Sequence, residues 1–413
     1  MRPLFFNLCM TLVFILGCIS EQEQAETSLS TDTHMNNTAE AGADHAGDVH
    51  NTVDHGDIVA ISNAGVTGDP GDANDLSNLD DSGDTADAEI TGDLDDMGNL
   101  TTIVCTGDYR ISRDEDLAEL IGCTIIEGNL NITGAGSESG TLSSLEGLND
   151  LSEVTGSLNL WGVTTLTDID GLISLTSVGF DLVIGENSSL TNIGGLANLT
   201  EVGGDVILTD NGALTNVDGL ASLITVGGSL VLSANFALAD VDGLISLEEI
   251  GDDLIIMSHL ALTHINGLSN LKTVGDELFI AGNPALTNVD GLSSLMEVGT
   301  LLGLGNNYSL TNIDGLANLS SAAHLAIHTL EYATLTNIDG LSGITEVGGI
   351  QINNNDALEH LDGLINLRTV NQWIAVQSNS ALTSIQGLSG VTSMGELEIW
   401  ATPPYARLRS KTS

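Results

Sequence analysis

Basic residues are almost missing from this chain. Eight Lys and Arg stand against 57 Asp and Glu, for a formal charge of −49. Three of the eight, Arg407, Arg409 and Lys411, fall in the last seven residues, and between Arg113 and Arg368 the only cation is Lys272. A phosphate backbone must be neutralised by several Lys or Arg, so nucleic acid is excluded as a partner. The same reasoning disfavours acidic polysaccharides and direct docking on anionic lipid. Proline (5 residues) and aromatics (3 Trp, 4 Tyr, 6 Phe) are scarce as well. The apolar content is mostly Leu, Ile and Val, which suits many short strands better than one globular core built on large rings. Catalytic signatures are missing too, with no Gly-rich phosphate loop, nucleophile elbow or zinc motif.

What is present is one sentence repeated. The stretch LTNVDGLASLITVGGSLVLSANFA at Leu214 to Ala237 returns 24 residues on as LADVDGLISLEEIGDDLIIMSHLA. Its Gly-Leu pair recurs at Gly147, Gly171, Gly195, Gly219, Gly243, Gly267, Gly291, Gly315, Gly340, Gly363 and Gly387, with one step of 25 and one of 23 that restore the register. Such a period reads as a solenoid in which each unit buries its apolar face against its neighbours.

The first 18 residues, MRPLFFNLCMTLVFILGC, place one Arg before an apolar run too short to span a bilayer, which is an export signal. Its end, Ile15-Leu16-Gly17-Cys18, resembles the bacterial lipobox, which implies cleavage before Cys18 and a lipid on that residue. The expectation is a lipid-anchored protein of the bacterial outer membrane, touching membrane only through Cys18. Residues 19–100 hold 20 acids, no Lys, Arg or aromatic, and cannot bury enough apolar surface to offset ordering, so an acidic disordered linker is expected. His34, His45, His50 and His55 in it fit no closed metal site. Cys105 and Cys123 then remain as a pair for a disulfide in an N-terminal cap, 101–141. The repeats occupy 142–404 and a basic tail 405–413.

Within a repeat counted from its first Leu (Leu214 as position 1), apolar residues recur at positions 1, 4, 7, 10, 13, 17 and 19. The last two have period 2, so SLVLS at 229–233 reads as a strand with Leu230 and Leu232 inward and Val231 outward. The spacing of three over positions 4 to 13 suits an irregular, 3₁₀-like climb. Position 22 is Asn in most coils (Asn187, Asn211, Asn235, Asn283, Asn307, Asn355, Asn379).

LVLSANFALADVDGLISL resembles the leucine-rich-repeat signature L-x-L-x-x-N-x-x-L. CTIIEGNLNI at Cys123–Ile132, followed by LxxLxGLxxLxxVGGxLxI units, is similar to the receptor L domain, a family that includes the ligand-binding lobes of growth-factor receptors and bacterial surface proteins. The resemblance spans roughly 103–400. It implies a β-rich, right-handed solenoid of about eleven 24-residue repeats with a parallel sheet, an inward Asn ladder and a binding face on the sheet. The Cys-stapled C-terminal cap of that family is missing, which leaves the last coil open to fraying.

On the outward face, position 18 reads Val183, Ile207, Val231, Ile255 and Phe279 over five coils, flanked by the acids of position 16. An apolar stripe rimmed by carboxylates marks a protein–protein site; the alternative is that these side chains pack on one another along the ladder. Tyr308 and Tyr332 hold equivalent places in adjacent coils and form a second candidate patch. Trp161, Trp373 and Trp400 map outward near the sheet ends, as partner anchors or as covers. His324 and His328 lie four residues apart, too far to share one metal. Position 5 stacks Asp170, Asp218, Asp242, Asp290, Asp314, Asp339 and Asp362; here Asp before Gly accepts its own turn hydrogen bond, with Ca2+ between adjacent coils as the alternative. No cofactor or metal is required. The acids are spread one per coil instead of paired as a glycosidase needs. The chain therefore reads as a non-catalytic module for a protein or neutral glycan partner, with a plain spacer or a polysaccharide-active enzyme as alternatives.

Overall fold

A computed structural model of the chain describes residues 102–134, 141–329 and 333–400 and the strand Leu408–Lys411. Cys18, the linker 19–100 and Tyr332 lie outside the described residues.

The architecture is a stack of coils sharing one parallel sheet. In each coil the chain runs through a short strand, a longer strand, a corner and a 3₁₀ turn before climbing to the next. In the coil of Leu214 these are the 3₁₀ turn Asp218–Leu220, the two-residue strand Thr225–Val226 and the strand Leu230–Ser233. The short strand corrects the expectation of an irregular climb through position 13, because Val226 faces the core from within a parallel ladder of its own. From Glu297 onward the two strands merge into one, as in Glu297–Gly305 and Thr369–Gln377. All eleven Gly-Leu anchors sit in 3₁₀ turns stacked one on another.

The register is strict. Leu208, Leu232, Ile256 and Ile280 are ladder partners in succession, as are Ile207, Val231, Ile255 and Phe279. The core is the sum of the stacked columns, with Leu214, Val217, Leu220, Leu223, Val226, Leu230 and Leu232 of one coil all buried. Removing such side chains from water is the favourable term that each coil gains only when neighbours flank it.

Glycine at position 6 sets how closely coils stack. A β-carbon on Gly219 would overlap the Ile193 carbonyl oxygen of the coil before, and one on Gly243 would overlap that of Val217. The same holds at Gly195, Gly267, Gly291 and Gly315. Side chains then tie coil to coil. Threonines of position 2 donate to the backbone carbonyl of the same position one coil earlier, as in Thr191 to Thr167 (3.1 Å) and Thr311 to Thr287 (3.2 Å). The turn bond before Gly is made differently from expectation. The acceptor is position 3, with the Asp218 N–H donating to Asn216 Oδ1 (3.1 Å) and Asp290 N–H to Asn288 Oδ1 (3.1 Å). The Asp at position 5 supplies the backbone donor.

The two ends of the sheet differ from the coils between them. At the N-terminal end Cys105 and Cys123 are joined, with Cα atoms 5.9 Å apart, and Val104–Thr106 pairs in parallel with Ile125–Glu127. At the other end Leu408–Lys411 turns back as an antiparallel strand on Ser393–Trp400, with Arg409 opposite Glu398 and Lys411 opposite Glu396 in the register. The strand Leu408–Lys411 thus pairs with the last coil, which was expected to fray.

Gly219→Ala is expected to lower the unfolding free energy by about 3 kcal/mol or more, because backbone carbonyl and β-carbon cannot both be accommodated. Gly212→Ala is the control, since nothing lies within 4 Å of its β-carbon. Urea unfolding followed by circular dichroism measures both; equal midpoints for the two variants would refute the stacking argument.

Candidate functional site

The outward sheet face has three columns, positions 16, 18 and 20, and the structure decides which of them meet solvent. Val183 and Ile207 are half-buried. Val231, Ile255 and Phe279 lie outside the continuous core, yet only 8%, 3% and 2% of their surface is exposed. This corrects the expectation of an open five-coil stripe. Each side chain has a ladder partner above and below, and the Phe279 ring spreads over Gly303 of the following coil, where a β-carbon would strike it.

That pairing of ring and glycine recurs. Trp161 lies over Gly185, Trp373 over Gly349, and His328 against Gly305, each pair in ladder register. The outward rings are therefore seated on bare backbone of a neighbouring coil, which fixes their tilt and hides one side of each. The Trp373 ring also stacks with His324, centroids 6.3 Å apart and planes 29° from parallel, and His324 Nε2 approaches Gln372 Oε1 at 3.5 Å. Tyr308 is half-buried, and its carbonyl accepts from Thr334 Oγ1 (2.8 Å).

The acids of position 16 bond to backbone. Asp181 Oδ1 accepts the Asp205 N–H (3.1 Å), Asp205 Oδ1 the Ser229 N–H (2.9 Å), and Asp253 Oδ1 the Glu277 N–H (2.9 Å). Burial, and then repulsion from Asp276, Asp252 and Asp205, hold the Asp253 carboxyl above the ordinary carboxylate range. Glu277 is raised for the same reasons, burial first and then Asp253 and Asp276. Among the described residues no group of three or more His, Cys, Asp or Glu is placed to hold a metal ion.

Acid placement on the short strands follows a longer period than the sequence reading found. Glu153, Ser177, Glu201, Thr225, Glu249, Thr273, Glu297 and Ser321 are successive ladder partners, so glutamate alternates with a hydroxyl. Like charges directly opposite one another are destabilising. Two coils of separation move them to ~10 Å, about one Debye length at physiological salt. Comparing position 12 across alternate coils would have found it.

The Asn ladder runs along the corner after the strand. Asn211 Oδ1 accepts the Asn187 N–H (3.1 Å) while its Nδ2 donates to the Ile184 carbonyl (2.9 Å), and Asn235 repeats the pattern one coil on. His259 interrupts it. The imidazole is fully buried, Nδ1 lies 3.2 Å from the Asn235 carbonyl, and Nε2 has no hydrogen-bond partner. Loss of hydration pushes its pKa down to about 4 from an ordinary 6.5. One residue further, at position 23, the same corner carries Phe236, Leu260, Pro284 and Tyr308 on four consecutive coils. Phe236 and Leu260 are 49% and 60% exposed, and Pro284 and Tyr308 half-buried.

Residues 122–194 match the Receptor L domain family. Comparison with curated proteins finds no match. Among solved structures the chain is similar to an internalin from Listeria monocytogenes, at 17% identity and a TM-score of 0.37, over 75% of this chain and 87% of that one. It is also similar to the protein of a TLR13–ssRNA13 complex, at 14% identity and a TM-score of 0.25, over 72% of this chain and 56% of that one.

A histidine that stays neutral when folded and gains a proton when unfolded makes acid destabilising. The contribution of His259 is intact above pH 6.5 and is lost as pH falls towards 4, in total about 3 kcal/mol. Relief of carboxylate repulsion acts in the opposite direction over the same range. The difference between wild type and His259→Asn isolates the histidine: the variant is expected to be progressively more stable relative to wild type from pH 7 to pH 4. A constant difference across that range would sink the argument.

Proposed function

We propose, taking as premise a leucine-rich-repeat-like solenoid with a receptor L-domain segment, that the protein is a non-catalytic binding module. It is exported, anchored through lipid on Cys18 to the bacterial outer membrane, and held off the membrane by the acidic segment 19–100. Its partner is another protein at or beyond the cell surface. The observation that carries this reading is how the acids are used. Catalysis by carboxylates needs two of them converging on one bond, whereas here each column of the repeat places its acids one per coil, as position 5 and position 16 do. Those of position 16 bond to the next coil's backbone, as Asp181, Asp205 and Asp253 do. What varies from coil to coil is the set of side chains set outward on a rigid frame, and variation on a repeated scaffold is where recognition is written.

The anchor follows from Ile15-Leu16-Gly17-Cys18 at the end of the apolar run. No helix among the described residues is long and apolar enough to cross a membrane. Growing an expressing bacterium with labelled palmitate tests the anchor. The wild-type chain is expected to take up label and partition into detergent, and Cys18→Ala to do neither; label retained by the variant would refute the assignment. Surface cross-linking followed by mass spectrometry then tests the binding role. A reproducible protein neighbour that is lost on competition with soluble protein is expected, and failure to find any would favour a plain spacer.

A further inference from the structure

We infer that the corner ridge Phe236–Leu260–Pro284–Tyr308 is the docking surface, and that it takes an apolar patch rimmed by Lys or Arg on a protein partner. The inference rests on the binding role proposed above and gives it a place and a chemistry.

The residue type at position 23 changes along the rod. It is Thr164, Ser188 and Gly212 in the coils before the ridge and Asp356 and Ser380 after it, all small or polar as a solvent-facing turn favours. Five successive coils between them carry Phe, Leu, Pro, Tyr and Tyr instead, the last of them Tyr332, which lies outside the described residues. Nothing in the repeat demands this, because core columns stay filled in every coil regardless of position 23. Turns occupy Phe236–Ala237, Pro284–Ala285 and Tyr308–Ser309, so the backbone holds each side chain at the same corner. At one coil per ~4.8 Å the ridge is ~14 Å long, and the alanines Ala237, Ala261 and Ala285 beside it add no bulk. Exposed apolar side chains gathered in one contiguous strip mark an interaction surface, whereas scattered ones do not. The sheet-face residues Val231, Ile255 and Phe279 cannot serve the same end, since they are buried.

Charge selects the occupant. Asp210 is exposed and Asp240 and Asp242 lie along the coils that bear the ridge. Of the two Lys and Arg residues of the repeats, Lys272 is bonded to Glu248 and Arg368 donates to the carbonyls of Ile365 and Leu367. On a chain of this net charge a partner surface carrying Lys or Arg is favoured over a neutral or acidic one. A second copy of this chain, at the same formal −49, is repelled. A neutral glycan would use flat rings in sequence for stacking, and here a branched aliphatic and a proline separate the two aromatics.

The test uses the full chain, wild type and Phe236→Ser/Leu260→Ser, with circular dichroism showing that both are folded. Both side chains are solvent-facing, so the fold is expected to survive; Gly212 at the same position shows that no side chain is needed there. Binding of three fluorescent peptides is measured at 0.15 M salt: a helical Leu/Lys amphipath, a Lys/Ser peptide of equal charge, and a Leu/Glu amphipath. The Leu/Lys peptide is expected to bind wild type at least tenfold more tightly than the Lys/Ser peptide. The double variant should lose about tenfold for Leu/Lys, the scale of removing central apolar contacts, with no change for Lys/Ser. The Leu/Glu peptide should not bind. Equal affinity of wild type for Leu/Lys and Lys/Ser, or no loss in the variant, overturns the proposal. Capture of neutral oligosaccharides that the variant abolishes would overturn it in favour of a glycan. A cellular partner found by cross-linking and unaffected by the double substitution would sink the ridge while leaving the binding role standing; finding no partner sinks the role itself.

Discussion

Everything in this fold hangs on the approach of one glycine to one carbonyl. At the anchors from Gly171 to Gly387, as with Gly195 on Ile169, Gly219 on Ile193 and Gly243 on Val217, the space where a β-carbon would stand is filled by a backbone oxygen of the coil before. That contact sets the distance at which the 3₁₀ turns stack. The other inter-coil bonds depend on the same spacing. The threonine hydroxyls of position 2, the amide ladder of position 22 and the carboxylate-to-backbone bonds of position 16 all reach one coil, and each has a short side chain that could not span a wider gap. Because every tie is to a neighbour, stability is distributed along the rod, and damage at one coil stays local.

In a chain with a formal charge of −49 many of the like charges are separated or compensated between coils. This happens in two ways. Glutamates on the short strands alternate with Ser or Thr, so each carboxylate faces a hydroxyl one coil away. Just before the long strands the acids of position 16 are stacked more closely, and there the backbone N–H of the next coil stabilises Asp181, Asp205 and Asp253. Where burial outruns that compensation, at Asp253 and Glu277, the carboxyls are held above their usual range. At the sheet edge Arg409 and Lys411 are the backbone register partners of Glu398 and Glu396.

The outer face shows how a repeat stores variation without losing its frame. Rings at Trp161, Phe279 and Trp373 would jut from the sheet, and each instead lies over a glycine in the next or preceding coil, at Gly185, Gly303 and Gly349. The sequence holds this information as an aromatic and a glycine 24 residues apart at the same repeat position, but it does not announce that the two touch. The corner ridge went unread for a related reason. Phe236 and Leu260 follow the Asn column, and a turn position carries no periodic sign of whether its side chain is in or out.

The repeat period, the Gly anchors, the inward columns exemplified by Leu230 and Leu232, the Asn ladder and the Cys105–Cys123 pair can all be read from the chain alone, because each is a relation between residues at fixed spacing and a solenoid turns fixed spacing directly into contact. Tertiary structure alone decided that Val231, Ile255 and Phe279 are hidden while Phe236 and Leu260 are open, that position 3 and not position 5 accepts the turn bond, and that Leu408–Lys411 adds an antiparallel strand to the last coil. Exposure is a property of what lies alongside a side chain in the neighbouring coils, and hydrogen-bond choice depends on distances of a few tenths of an ångström. Neither is set by the identity of the residue that shows it.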